Sequence, residues 1–192
     1  MLRRPLAFAA LCAMACHPGT GARADSTNME PMTTDSGGTI DSVYRFLSNP
    51  SVPGDSVTAV RSRLPYDSIS LRREPCFGTC PIYEATLYRD GRARYVGTRF
   101  VERVGTWRGE VSVQDYARLA YLLDKLGFMA LPDSFAATYT DQPGATLTAH
   151  RSPGGTKSVS DYGYVGPVEL WALREIFDGI LARVAWEKTN SE

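Results

Sequence analysis

Residues 82–97, IYEATLYRDGRARYVG, contain the pattern that decides the fold. Apolar and polar residues alternate at its start, which is typical of a strand with one buried face. Asp90-Gly91 follows as a two-residue turn, because both central positions of the favoured hairpin turn need positive φ. Arg92 to Gly97 is then the return strand, so this stretch predicts a β-hairpin. The residues expected on its inner face are Tyr83, Ala85 and Leu87.

Further strands are predicted on both sides of this hairpin. Ser68 to Arg72 alternates before it, and Val104 to Glu110 continues the meander after it. A second hairpin is predicted where Ala145 to Arg151 and Lys157 to Tyr162 flank a Ser-Pro-Gly-Gly turn.

Two segments have helical periodicity instead. The first begins at Ser112, whose side chain can cap a helix that carries Asp115 in its first turn, and it ends at Gly127. The second opens at Gly166-Pro167, with proline expected at the first helical position. Its apolar stripe consists of Leu170, Leu173, Phe177, Ile180, Leu181 and Val184. We therefore predict an α+β fold in which an antiparallel β-meander and a hairpin pack against two amphipathic helices.

The N-terminus has the features of an export signal. Arg3 and Arg4 precede a short apolar run from Leu6 to Ala15, and Cys16 follows the small residues at its end. This pattern is similar to a bacterial lipobox, so we predict a signal peptide over 1–15 and acylation of Cys16. Acyl chains on Cys16 would hold the protein at the lipid bilayer of the cell envelope.

Cleavage after Ala24 is the alternative, and it would release a soluble periplasmic or secreted protein. Residues 16–38 are rich in Pro, Gly, Ser and Thr and predict a disordered tether. Residues 39–66 predict a partly ordered lead-in, and residues 67–187 predict the α+β domain.

The charge of the chain limits its partners. It has 21 basic and 21 acidic residues, and a near-neutral surface argues against nucleic acid as a ligand. We expect no cofactor. The expected partner is a protein or a small ligand in the cell envelope.

The cysteines give the sharpest chemical feature. Either cleavage leaves Cys76 and Cys80 as a pair, and an exported protein meets an environment that permits disulfides. We favour a structural disulfide, which closes a short ring between two strands. A thiol-redox pair is one alternative, and a copper site that adds His150 to the two cysteines is the other.

The segment from Cys76 to Tyr83, CFGTCPIY, with the strand and the Asp90-Gly91 turn after it, resembles a bacterial exported family known as a domain of unknown function, family 6438. The resemblance extends over roughly residues 66–186. Asp141-Gln142-Pro143 and Asp161-Tyr162 before Pro167 are also similar to that family. The resemblance implies membership and brings no activity to any residue.

Three further residues are candidates for binding. Tyr83 is one of several strand tyrosines that could form an aromatic platform, although strand tyrosines commonly serve in sheet packing. Asp141 and Asp161 are carboxylates in or near loops, where Asp also stabilises turns. The sequence contains no complete catalytic set, which favours a binding or structural domain over an enzyme.

Overall fold

The computed structural model of the protein describes residues 57–189. The predictions for residues 1–15, for Cys16 and for the tether over 16–38 lie outside the described residues, as does most of the lead-in. The last part of the lead-in belongs to the fold. Leu64 and Tyr66 are buried in the core, and a short helix precedes them.

Residues 57–189 form eight strands, three α-helices and one 3₁₀ turn. The elements in chain order are α1 (Val57–Ser62), β1 (Ser68–Glu74), β2 (Ile82–Tyr88), β3 (Arg92–Arg99), β4 (Gly105–Glu110), α2 (Val113–Lys125), the 3₁₀ turn (Phe128–Ala130), β5 (Ser134–Ala136), β6 (Gly144–Arg151), β7 (Gly155–Tyr162), α3 (Val168–Leu181) and β8 (Ala185–Lys188).

All eight strands belong to one sheet in the order β5-β7-β6-β1-β2-β3-β4-β8. Every pairing is antiparallel except that of β5 with β7. The predicted α+β class is confirmed, but a meander plus a hairpin underestimates the sheet. Two short strands, β5 and β8, extend its edges, and α1 is a third helix.

The helices α2 and α3 pack on one face of the sheet and form the core with it. Strand residues on that face are buried, such as Leu71 in β1, Leu87 in β2 and Leu147 in β6. The alternating residues on the other face are mostly polar or charged, and no described helix covers them. The sheet therefore has one buried face and one open face, as the alternation in the strands predicts.

The helix ends follow the predicted rules with one difference. Ser112 Oγ accepts the backbone N–H of Asp115 at 3.0 Å, and Gly127 adopts φ 63° just after the end of α2. At α3, Pro167 is the N-cap and Val168 is the first helical residue. The apolar stripe also extends beyond the helix, because Val184 lies in the turn after Leu181.

Among residues 57–189, no helix combines the length and the hydrophobicity that a membrane span requires.

Candidate functional site

Four loops meet at one end of the sheet, which we call the loop end. They follow β1, β3, β5 and β7, which run in the same direction, as the pairing registers show. The loops consist of residues 75–81, 100–104, 137–143 and 163–167. Loops at one end of a sheet can contact a partner together while the sheet holds them in place.

The loop after β1 contains the disulfide between Cys76 and Cys80, whose Cα atoms are 5.7 Å apart. Pro75 and Pro81 flank it, and proline restricts the backbone at both entrances. Phe77 lies between the two cysteines with 87% of its surface exposed. The bond therefore closes a short ring that presents an aromatic side chain to solvent.

Neighbouring loops are joined to this ring by backbone hydrogen bonds. The N–H of Phe77 donates to the carbonyl of Asp141 at 3.4 Å, and the N–H of Gly163 donates to the carbonyl of Pro143 at 2.8 Å. Gly163 has a φ of 76°, and a Cβ at this position would lie 2.6 Å from the Cβ of Ala137. Three of the four loops are therefore in direct contact, and a side chain at position 163 would separate two of them.

The backbone is strained at the loop end. Phe100, Asp141 and Tyr164 have φ values of 55°, 67° and 55°, and they are the non-glycine residues with positive φ in the described part of the chain. All three belong to these loops. Such conformations cost of order 1–3 kcal/mol each and gather at functional sites, because the surrounding structure must maintain them.

Exposed apolar side chains gather there as well. Five of the nine large hydrophobic residues that are exposed in the described chain belong to these four loops: Phe77, Phe100, Val104, Tyr139 and Val165. Single exposed apolar residues need no explanation, but a group of them on adjoining loops is typical of a contact surface.

A polar network lies behind the loops, between the sheet and α3. Arg73, near the end of β1, donates to Asp178 of α3 and, at 2.8 Å, to the hydroxyl of Tyr164. Tyr83, at the start of β2, donates its hydroxyl to the same Asp178 carboxylate. The network therefore connects both strands that flank the disulfide ring to α3 and to the loop after β7.

A second ion pair lies deeper in the protein. Arg174 of α3 donates to Asp161 of β7, and the guanidinium of Arg174 stacks over the ring of Tyr164 with its central carbon 4.4 Å from the ring centroid. Asp161 also accepts the backbone N–H of Gly166 at 2.9 Å. These contacts fix the loop after β7, in which Tyr164 has positive φ.

The pKa values agree with a structural role for this network. Burial raises the pKa of Tyr83, and the negative charge of Asp178 raises it further. Burial opposes the charge of Arg73, but its ion pair with Asp178 outweighs this and raises the pKa of the guanidinium. Tyr83 therefore keeps its proton at neutral pH as a hydrogen-bond donor, and Arg73 keeps its charge.

The structure places the candidate residues from the sequence as follows. Cys76, Cys80, Tyr83, Asp141 and Asp161 all lie at or just behind the loop end. Tyr83 and Asp161 are buried and bonded within the domain, so they support the loops rather than face a ligand. Asp141 is exposed, and its carboxylate accepts the hydroxyl of Thr140 at 3.1 Å.

His150 lies at the opposite end of the sheet. It pairs with Ser68 at the start of β1, whereas the cysteines follow the end of β1. At about 3.3 Å per residue, the length of the strand separates His150 from the cysteines by roughly 20 Å. No group of residues within 57–189 combines three or more metal-ligating side chains, so the structure does not bring the copper set together.

Sequence reasoning missed Tyr164, Arg174 and Asp178, and it missed the contacts that Arg73 makes with Tyr164 and Asp178. The one signal in the chain was the charge of Asp178 and Arg174 in a helix that is otherwise largely apolar. Two hollows on the open face were missed too. One has a volume of about 470 Å³ and lies over β1, β2 and β3, and the other has a volume of about 670 Å³ and lies over β3, β4 and β8.

Comparison with known proteins gives one family. No curated protein and no solved structure matches the chain. The model of a family described as a domain of unknown function (DUF6438) matches residues 67–181, which is more than half of the 192-residue sequence. The match begins just before β1, includes all four loops and the network behind them, and ends with α3. The chain therefore belongs to the DUF6438 family.

Proposed function

We propose that this protein is exported, is anchored to the cell envelope by acyl chains on Cys16, and binds a partner protein through its loop end. The observation that carries the binding role is the coincidence of strained backbone and exposed aromatic side chains on adjoining loops. Strain that persists in three loops at one end indicates selection for a surface rather than for stability.

The internal network supports the same proposal. Its charged groups are paired with each other and lie behind the loops, so they hold the surface instead of offering a reactive group to a substrate. Rigid loops lose little conformational entropy on binding, which favours affinity. The Cys76–Cys80 disulfide contributes in the same way, because it restricts the loop that carries Phe77.

The binding role can be tested by site-specific photo-crosslinking in intact cells. A photoreactive residue at position 77 or 139 should give the same discrete adduct, because Phe77 and Tyr139 lie on contacting loops. The matched control is position 57, where Val57 is also exposed but lies on α1, away from these loops. The same adducts from position 57, or none from 77 and 139, would contradict the proposal.

Export and anchoring need a separate measurement. The intact mass of the protein from the membrane fraction should equal that of a chain that begins at Cys16, carries acyl chains, and has lost two hydrogens to the disulfide. A Cys16→Ser variant should leave that fraction. A mass that includes residues 1–15, with both thiols free, would rule out this part of the proposal.

The thiol-redox alternative has one favourable observation, since the disulfide ring lies on an exposed loop. Its reduction potential decides between the two roles. A potential well below the periplasmic poise indicates a structural bond, and a potential near it indicates an exchangeable one.

A further inference from the structure

The open face of the sheet carries a group of three arginines that the loop end does not use. Arg94 in β3 lies directly opposite Arg108 in β4, and Arg92 lies two residues from Arg94 on the same face of β3. Side chains directly opposite each other on adjacent strands have Cβ atoms about 5 Å apart, and like charges there are destabilising. The pairing of Arg94 with Arg108 therefore costs stability, and nothing in the packing of the core requires it.

Two of these arginines have partners that hold them in place. Arg92 Nε donates to Asp90 at 2.7 Å, and its guanidinium stacks on Tyr88 with the central carbon 4.8 Å from the ring centroid. Arg108 Nε lies 3.6 Å from Glu187 Oε2 of β8, and both side chains are largely exposed. Exposed pairs of this kind contribute little and leave donors available.

Arg94 differs from every other arginine between residues 57 and 189. The others have a hydrogen bond, an ion pair or a ring contact, whereas the guanidinium of Arg94 has none with the described chain. Both hollows of the open face are lined by Arg94. All the N–H donors of the Arg94 guanidinium are therefore available beside two hollows, and two more guanidinium groups lie nearby. This arrangement is well suited to binding an oxyanion.

The surroundings define the ligand further. The larger hollow, about 670 Å³, falls in the range of small-molecule sites and far exceeds the volume of one phosphate group. Glu110 lies opposite Arg92, and Glu187 lies opposite Arg108, so acidic groups border the cluster. These acids repel an extended polyanion but leave the position of Arg94 open to a single compact charge.

We infer that Arg92, Arg94 and Arg108 bind the phosphate of a phosphomonoester whose uncharged part occupies the hollow over β3, β4 and β8. The doubly charged phosphate has enough oxygens for three guanidinium groups at once. The source is either a soluble phosphate ester or a lipid with a phosphomonoester headgroup. This site is independent of the loop end and of the anchor at Cys16.

Calorimetric titration of the purified full chain with phenyl phosphate tests the inference. We expect saturable binding that is tighter than binding of inorganic phosphate, since the organic part fills the hollow. Arg94→Gln should weaken binding at least about tenfold, which corresponds to about 1.4 kcal/mol. Arg94→Lys should recover only part of the loss, because lysine lacks the planar fork.

The matched control is Arg118→Gln, which removes an exposed arginine from α2 on the other side of the sheet and should leave binding unchanged. Vesicles of phosphatidylcholine with and without phosphatidic acid distinguish the lipid source from the soluble one. Arg94-dependent binding in either arm supports the site. Absence of binding in both arms would overturn it, and so would equal losses in the Arg94 and Arg118 variants. The thermal melting temperature of each variant checks that the fold is intact.

Discussion

Arg174 and Asp161 form an ion pair inside the domain in which each side chain is only 1% exposed, with Arg174 Nη1 2.5 Å from Asp161 Oδ2. The pair joins α3 to β7, and two further nitrogen atoms of Arg174 are buried without a hydrogen-bond partner in the described chain. The carboxylate of Asp161 is therefore what offsets the cost of burying the positive charge of Arg174.

Asp161→Ala should lower the free energy of unfolding by about 3–5 kcal/mol, because it leaves a buried cation without its partner. Urea unfolding followed by circular dichroism measures the change. Asp133→Ala is the control, since Asp133 pairs with Lys157 at the surface and its loss should cost about 1 kcal/mol or less. Similar losses of unfolding free energy in both variants would show that the buried pair contributes no more to stability than a surface pair.

Removal of the disulfide should destabilise the domain moderately. The ring is short, so the loop-entropy contribution is about 2 kcal/mol. The variant with Cys76→Ser and Cys80→Ser should unfold at a lower urea concentration, and the unaltered protein in excess dithiothreitol should behave in the same way. If dithiothreitol lowers the stability of the serine variant as much as that of the unaltered protein, the effect does not come from this bond.

Stability should decrease at alkaline pH because of buried tyrosines. Burial raises the pKa of Tyr83 and of Tyr116 above the usual value, so both keep their protons in the folded state where the unfolded chain has lost them. The unfolded state then binds fewer protons, and stability falls as pH rises above about 10. Below that pH neither group contributes to the pH dependence.

Urea unfolding at several pH values between 8 and 11 should show this decrease. Tyr116→Phe and Tyr83→Phe should each remove about 1.4 kcal/mol of the stability that is lost between pH 8 and pH 11, since phenylalanine has no proton to lose. The phenylalanine variants should also have a lower free energy of unfolding at pH 8, because each loses a hydrogen bond. An unchanged alkaline slope in both variants would contradict the assignment.

Gly97→Ala should disturb the loop after β3. A Cβ at position 97 would lie 1.9 Å from the backbone carbonyl oxygen of Arg103, which cannot move without the loop. We expect a loss of at least about 2 kcal/mol in unfolding free energy, as for overpacking at a site that cannot relax. Gly144→Ala is the control, because its Cβ would meet only the flexible side chain of Glu74, at 3.1 Å. Equal losses would indicate a general effect of replacing strand glycines.

The long elements could be predicted from the sequence because local pattern and burial agree in them. The alternation in β2 and the hairpin after it appear as expected, and the periodicity of α2 agrees with its buried face. The two-residue turn was wrong, because three residues, 89–91, connect β2 to β3 and only Gly91 among them has positive φ, at 103°. Each of these elements carries several residues with the same period, so one exception does not conceal it.

The short elements could not be predicted, because pairing with distant strands determines them. β5 has three residues and β8 has four, and neither offers enough alternation to reveal a strand. The polar network behind the loop end could not be predicted for the same reason. Arg73 and Asp178 are 105 positions apart, and no local pattern relates them.

Strand β8 lies outside the segment that the family model matches, which ends at residue 181. It pairs with β4 from Trp107 to Glu110, and Thr189 donates its N–H to Thr106 just beyond it. A recombinant fragment cut at the end of α3 would leave the backbone donors and acceptors of β4 unpaired in water, and such an exposed edge recruits other chains. The shortest fragment that stays monomeric should therefore extend through Thr189.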